Sequence, residues 1–357
     1  MLNKDRLSYW DTLGDETRPI VLYGTGNGAD KIIDACEKYD IKLSAVFASD
    51  GFVRDRSFRD MRVLSYSDVR ERFGDDIVVL PAFGSVRDDV IGFFEELDAR
   101  HELIIPEVPL YGGGIFDAAH YAECRDLISK VYSMLTDDAS RGLFLDAVDF
   151  RMTGKLKYLR HCESVPETLS SMPFAERVKS CLDGGAFRGD SAQDMLTAFP
   201  NVERIIALEP DPSTFKKLSA FADETHGVVV PVNSALGNFV GESDCVSSGS
   251  RGSGIAGRNR RAKTVTIHCD TVDRICADEK LDFLKLDVEG FEREALEGAR
   301  ETVARDRCAM SVSLYHRTDD LLTLPLFAAE LLGECDMYLR RPRCIPMWDL
   351  TLYVSPR

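Results

Sequence analysis

The chain has 357 residues, 44% hydrophobic and 29% charged, which is long enough for two separately cored domains and ordinary for a globular protein. A formal net charge of −16 argues against nucleic acid or anionic membrane as the main partner, because neutralising phosphate needs a basic face. No apolar run reaches the length of a membrane span and the first residues lack a signal peptide's apolar core. The ten cysteines form no Cys-x-x-Cys pair, so they read as free thiols of a cytoplasmic protein.

Ile20 to Tyr23 reads as a buried strand that runs into Gly24-Thr-Gly26-Asn-Gly28-Ala29, with Ala29, Ile32, Ile33 and Cys36 at helical spacing behind it. A strand, a glycine turn and a helix start are the setting in which a phosphate can approach backbone N–H groups. Further strands are expected at Leu43 to Phe47, Arg62 to Leu64 and Ile77 to Leu80, with a helix at Val86 to Leu97. This alternation predicts a small Rossmann-like parallel sheet over residues 1–110. The second strand ends in Ala48-Ser49-Asp50, so the carboxylate that would hold a ribose arrives late. Nucleotide binding and a purely structural turn both stay open here.

Residues 111–175 read as a helical connector. Leu127, Ile128, Val131, Tyr132 and Leu135 form one apolar stripe, and Phe144, Leu145, Val148 and Phe150 a second. Thr136 to Ser140 supplies the turn between them.

Residues 176–357 repeat the strand-and-glycine pattern with different chemistry. The strand from Val178 to Leu182 opens into Asp183-Gly184-Gly185-Ala-Phe-Arg-Gly189-Asp190-Ser191. Carboxylates on both sides of the glycines would repel a diphosphate but suit a ligand with an ammonium group and sugar hydroxyls, as S-adenosylmethionine has. Strand Val202 to Leu208 delivers Glu209, placed for ribose hydroxyls. Strand Val228 to Val232 leads to Asn233, Ala235 and Gly237, a small-residue turn able to bound an adenine pocket. A polar segment from Ser247 to Lys263 carries Arg251, Arg258, Arg260 and Arg261, read as a surface loop or as a flap toward an anionic acceptor. Thr264 to His268 reads as a strand.

The apolar run Phe283 to Leu286 carries Lys285 and then releases Asp287, Glu289 and Glu292 around Gly290. That predicts a buried parallel strand ending at a ligand crevice. Phe291, Ala295, Ala299 and Val303 line one helix face, with Glu292 outside it. Met310 to Tyr315 is the next strand, and His316 beyond it is a candidate base. Two closing strands, Met337 to Arg340 and Leu350 to Val354, suit a terminal antiparallel hairpin.

Asp-Gly-Gly-x-x-x-Gly-Asp, Leu-Glu-Pro-Asp-Pro, Asn-Ser-Ala-Leu-Gly and Leu-Lys-Leu-Asp-Val-Glu-Gly-Phe-Glu, in that order and followed by Tyr315-His316 and Asp320, resemble the FkbM-type methyltransferases. The resemblance covers roughly Val178 to Val354, and the preceding domain and connector, residues 1–175, look like an N-terminal extension that some members carry. It implies a class I methyltransferase fold and methyl transfer from S-adenosylmethionine, typically to a hydroxyl of a polyketide, sugar or glycolipid. Carried over by position, Asp183, Gly184, Gly185, Gly189, Asp190 and Ser191 would shape the methionine side of the cofactor site. Glu209 would hold the ribose, with Asn233 and Ala235 beside the base. Asp287, Glu289, Glu292 and Lys285 would line the reaction end. Gly184 departs from the bulkier residue usual at that position.

The expected chemistry is in-line displacement at the sulfonium methyl, with Asp287 as first choice of base, His316 as second and Glu289 beside them. Lys285 and Glu292 are expected on the acceptor side, the acceptor being a small molecule or glycan. No metal is assigned, because Asp287 and Glu289 lack a third ligand in the sequence. A nicotinamide-dependent oxidoreductase built on the first glycine turn and a non-catalytic module that keeps the fold are the alternatives. Association with a second copy of the chain is open.

Overall fold

The computed structural model describes residues 6–53, 57–247 and 263–357. The four arginines of the expected flap therefore lie outside the described residues.

Six strands make the first sheet: β1 (Ile20–Tyr23), β2 (Leu43–Ala48), β3 (Ser57–Phe58), β4 (Met61–Ser65), β5 (Val78–Pro81) and β6 (Glu102–Leu103), in the order β3-β4-β2-β1-β5-β6. All neighbours are parallel except the short β3–β4 pair. β1 and β5 are buried along their whole length, as strands covered on both faces must be. The sequence reading lacked β3 and β6. Each has only two residues, too few for a periodic signal.

Two helices, Ala118–Met134 and Asp138–Thr153, form the connector. The Asp137 side chain caps the second by accepting from the Ser140 N–H at 2.8 Å, and Gly154 ends it in the left-handed region. Ile128, Val131, Leu135, Phe144, Val148 and Phe150 are buried as expected. Leu127, Tyr132 and Leu145 are instead exposed by more than a third, because each stripe was drawn wider than the face its neighbours cover.

The second sheet holds β7 (Ser180–Gly184), β8 (Arg204–Leu208), β9 (Val229–Val232), β13 (Phe283–Leu286), β14 (Ala309–Ser313), β15 (Cys335–Arg340) and β16 (Thr351–Pro356), in the order β15-β16-β14-β13-β7-β8-β9. β16 runs antiparallel to both of its neighbours and the other pairs are parallel. Three strands stand apart: β10 (Ala235–Leu236), β11 (Gly241–Ser247) and β12 (Lys263–Asp270), in the order β10-β12-β11. The expected strand at Thr264 thus belongs to this small sheet, paired antiparallel with β11, which the sequence reading lacked.

The expected helix after Gly290 is two, Glu292–Glu297 and Arg300–Asp306. They break at Gly298, where a Cβ would stand 2.1 Å from the Gly237 carbonyl oxygen. Ala295, Ala299 and Val303 are buried as predicted, but so is Glu292. The described cysteines are free and most are buried, with Cys162 exposed. Among the described residues no helix is long and apolar enough to cross a membrane.

The connector ties both sheets together through Arg151, which is 3% exposed. Its Nε donates to Glu107 at 3.0 Å, beyond the end of β6, and its Nη1 donates to the Thr318 carbonyl at 2.8 Å, beyond β14. Breaking such a pair strands the other charge, which costs more than the pair contributes over an apolar replacement. Arg151→Leu should lower the melting temperature by roughly 5–10 °C. Adding Glu107→Leu should recover most of that loss in the same thermal melt.

Candidate functional site

The carboxyl edges of both sheets face one cavity of about 1250 Å³. Pockets that hold a single drug-sized ligand run to about 1,000 Å³, so there is room for two reactants. From the second sheet come Gly185, Asp190, Ser191, Glu209, Ala235, Lys285, Asp287 and Glu289. From the first come Gly28, Lys31, Phe83 and Arg87, and from the connector Tyr111.

The second glycine turn is built by close approach. Gly185 has φ +78, and a Cβ there would stand 1.9 Å from the Asp287 carbonyl oxygen. Gly189 has φ +100 and packs on the Phe221 ring. Under the turn, Asp183 is fully buried. It accepts from the Ser191 hydroxyl at 2.6 Å and pairs with the Lys285 ammonium at 3.0 Å. Lys285 also donates to the Gly184 and Gly185 carbonyls at 3.2 and 2.8 Å. Burial disfavours its charge, but Asp183 and Asp287 outweigh that and raise its pKa. The structure therefore makes Lys285 and Asp183 the internal tie of the turn, and the carboxylates that line the cavity include Asp190, Asp194, Glu209, Asp211, Asp287 and Glu289.

Glu209 is 8% exposed and accepts from the Asp211 N–H at 2.8 Å; burial pushes its pKa up to about 7 against that bond. Asn233 donates its side-chain N–H groups to the Glu209 and Pro210 carbonyls, fixing the Glu209 loop. Ala235 lines the cavity beside it.

Asp287 follows β13 directly. Burial disfavours its charge, yet Lys285 and His316, with hydrogen bonds from Ser313 and Tyr315, hold its pKa below the usual carboxylate value. The Tyr315 hydroxyl donates to Asp287 at 3.1 Å. Tyr315 was read only as part of a motif; its role depends on β14 lying beside β13.

His316 and Glu292 lie behind this wall, at 0% and 1% exposure. Glu292 accepts from the Val288 N–H at 2.8 Å and supports the left-handed turn at Glu289 and Gly290. His316 Nδ1 stands 2.9 Å from Glu292, and its Nε2 stands 3.5 Å from Glu289 and 3.6 Å from Asp287. Burial opposes its charge, but these three carboxylates raise its pKa well above the ordinary value. The imidazole is placed to organise these carboxylates and does not itself line the cavity. Asp320, buried beside Glu292, is pushed up to about 7 by the same burial and repulsion.

The first glycine turn also has packing reasons. A Cβ at Gly28 would stand 2.3 Å from the Ala82 carbonyl oxygen, and one at Gly24 would stand 2.8 Å from Phe83. Lys31 donates to the Pro109 and Leu110 carbonyls at 2.9 and 2.7 Å. Asp50 accepts from the Ser67 N–H and hydroxyl, at the start of the next helix, and so is engaged away from the turn.

Residues 183–341 match the family model of the methyltransferase FkbM domain. A crystal structure of methyltransferase FkbM from Methylobacillus flagellatus KT is similar over 95% of this chain and 90% of that one, with TM-score 0.69 and 18% identity. The fold is that of a class I methyltransferase. The likeness extends over both sheets of the chain. Lower-scoring similarities include the O-methyltransferase TomG of Streptomyces achromogenes in complex with SAM, at 13% identity and TM-score 0.35 over 65% of this chain and 96% of that one. Another is Aeropyrum pernix fibrillarin with natively bound S-adenosyl-L-methionine, at 14% and 0.32 over 52% and 68%. No curated protein matches the chain in sequence.

The methyltransferase turn should tolerate no side chain at its centre. Gly185→Ala combines a disfavoured φ with a backbone clash and should cost about 2–4 kcal/mol, seen as a lowered melting temperature. Gly26→Ala, whose Cβ would meet nothing within 4 Å, should melt within a degree or two of the parent.

Proposed function

We propose that the chain is an S-adenosylmethionine-dependent methyltransferase acting on a hydroxyl oxygen of a small-molecule or glycan acceptor, such as a sugar, glycolipid or polyketide. The observation that carries this reading is the chemistry of the cavity wall under the second sheet. Three adjacent strand ends, those of β7, β8 and β13, bring Asp190, Glu209 and Asp287 to one side, and among the described residues the only lysine lining that wall is tied beneath the glycine turn. Such a wall repels phosphate and suits a cation that carries a ribose.

The residues present fit that cofactor. Gly185 lets the turn lie against the Asp287 backbone at the cavity edge, Glu209 offers a carboxylate to two ribose hydroxyls, and Asp190 offers charge to the amine. When bound, S-adenosylmethionine supplies an electrophilic methyl group on sulfonium. Asp287 would then face the acceptor and take its hydroxyl proton as the acceptor oxygen bonds the methyl carbon and the carbon–sulfur bond breaks to leave a neutral thioether, with Tyr315 steadying the carboxylate. The acceptor half of the cavity is the wall from the first sheet, where Ile32, Phe83, Val86 and Trp348 give apolar contact and Tyr111 closes one side. Gly84 lets Trp348 lie against this wall, since a Cβ there would stand 2.2 Å from the indole. The first domain then selects the acceptor while the second holds the methyl donor.

Two results would test this reading. Glu209→Ala should weaken S-adenosylmethionine binding about 10–100-fold in calorimetry, as loss of hydrogen bonds to a charged group does. Asp287→Asn should slow turnover at saturating cofactor about 10²–10⁴-fold. Full turnover by that variant would remove Asp287 as the base, and cofactor affinity unchanged by the Glu209 substitution would remove the proposed ribose site.

Glu209 also predicts a pH dependence. Its carboxyl titrates at about 7 in the free protein, and only the ionised form accepts from both ribose hydroxyls. Affinity should therefore rise as pH climbs from about 6 to about 8, and binding at pH 6.5 should release protons. Calorimetry in two buffers of different ionisation enthalpy reads that release, and Glu209→Gln should abolish it.

A further inference from the structure

We propose that Asp287, Glu292 and His316 form a binding site for one divalent first-row transition-metal ion at the back wall of the cavity. One ring nitrogen of His316 and one oxygen from each carboxylate lie within 4.8 Å of one another. Ligands on a common ion, with bonds of about 2.1 Å, stand about 3 Å apart side by side and about 4 Å apart across it. The Glu292–Nδ1 approach, 2.9 Å, falls in that range, while the 3.6 Å approach of Asp287 is to the other ring nitrogen, so an ion held on one nitrogen needs the farther carboxylate to swing toward it.

Two further observations separate this cluster from an ordinary group of acids. His316 and Glu292 are essentially without solvent, yet neither ring nitrogen nor Glu292 Oε2 has an aligned hydrogen bond. Carboxylate oxygens crowd the imidazole at attractive distances, but outside hydrogen-bond geometry. Buried polar atoms in that state are costly unless something satisfies them. The second observation is charge. Asp287, Glu289, Glu292 and Asp320 surround one imidazole, while the nearby cations are tied elsewhere, Lys285 to Asp183 and Arg317 to Glu294. Excess buried negative charge is what a divalent ion neutralises.

The donor set narrows the ion. One imidazole nitrogen with two carboxylate oxygens suits Mn²⁺, Fe²⁺ or Zn²⁺, whereas Mg²⁺ prefers oxygen alone and keeps its waters. Glu289, 3.5 Å from His316 Nε2, is near enough to assist from the cavity side. An ion there would be open toward the cavity on the Asp287 side. If the proposed methyl transfer holds, it would also bind the acceptor hydroxyl and make its proton easier to remove.

The test is direct binding by the chelator-treated full chain, without cofactor or acceptor. Free Mn²⁺ is followed by electron paramagnetic resonance as MnCl₂ is added. We expect saturable uptake of one ion per chain, weakened at least about 10-fold in His316→Gln, Glu292→Gln and Asp287→Asn. Zn²⁺ should displace the bound Mn²⁺, and Glu294→Gln should leave uptake unchanged. Asp287→Asn is the part-exposed member and keeps the test open should the buried variants fail to fold, which circular dichroism would report. A second group, His120, Cys124 and Asp319, also brings three donors together, so His120→Gln is included. No saturable uptake at millimolar Mn²⁺, or uptake lost in His120→Gln and kept in Asp287→Asn, overturns the proposal and leaves His316 as the cluster's own cation. A missing S-adenosylmethionine signal in separate calorimetry would count against the proposed function and not against the ion site.

Discussion

Everything on the ligand side of the second sheet depends on one buried ion pair. Lys285 and Asp183 sit opposite each other in the register of β13 and β7, at the centre of the sheet. The ammonium satisfies Asp183 and two glycine carbonyls at once. A lysine with fewer partners could not remain charged at this depth. Because the pair holds the glycine turn down, Gly185 can press on the Asp287 backbone. The pair shapes the site from beneath and leaves Asp190, Glu209 and Asp287 lining the cavity.

The same logic extends outward through the connector. The Tyr111 N–H donates to the His316 carbonyl at 2.9 Å, and its ring meets Phe291 edge-on at 5.0 Å under the Arg317 guanidinium. Arg317 reaches back to the Gly290 carbonyl and to Glu294. Gly290, with φ +97, has Tyr111 against the position a Cβ would take. The stretch that carries the carboxylates is therefore clamped from the side of the first domain. This places the first sheet as the opposite wall of one cavity instead of an independent module.

Most of the architecture was legible in the sequence, for identifiable reasons. Parallel strands buried on both faces leave continuous apolar runs, as Ile20 to Tyr23 and Phe283 to Leu286 do. Glycines followed by helical periodicity mark where those runs end. β3, β6 and β11 were not legible, because two-residue strands carry no period and β11 is largely polar. The site was legible in its members but not in their division of labour. Glu292 looked exposed because it falls outside the apolar helical stripe, but it folds back under the turn at Val288. Asn233 looked like a ligand contact, yet its donors bond backbone carbonyls, and Lys285, open to either an acceptor or a neighbouring carboxylate, pairs with Asp183.

By itself the sequence determined the strand order's raw material, the positions of both glycine turns and the acidic character of the second one. Those are local properties, fixed by side-chain period, by the need for glycine at tight approaches and by the charge of neighbours along the chain. Only the tertiary structure decided which carboxylates face the cavity and which face each other. That depends on β13 lying between β7 and β14, which brings Asp183 to Lys285 and His316 to Asp287 across more than 25 residues of chain. It also decided that the two glycine turns open into one cavity, since their separation in sequence gives no sign of the connector that folds one sheet edge toward the other.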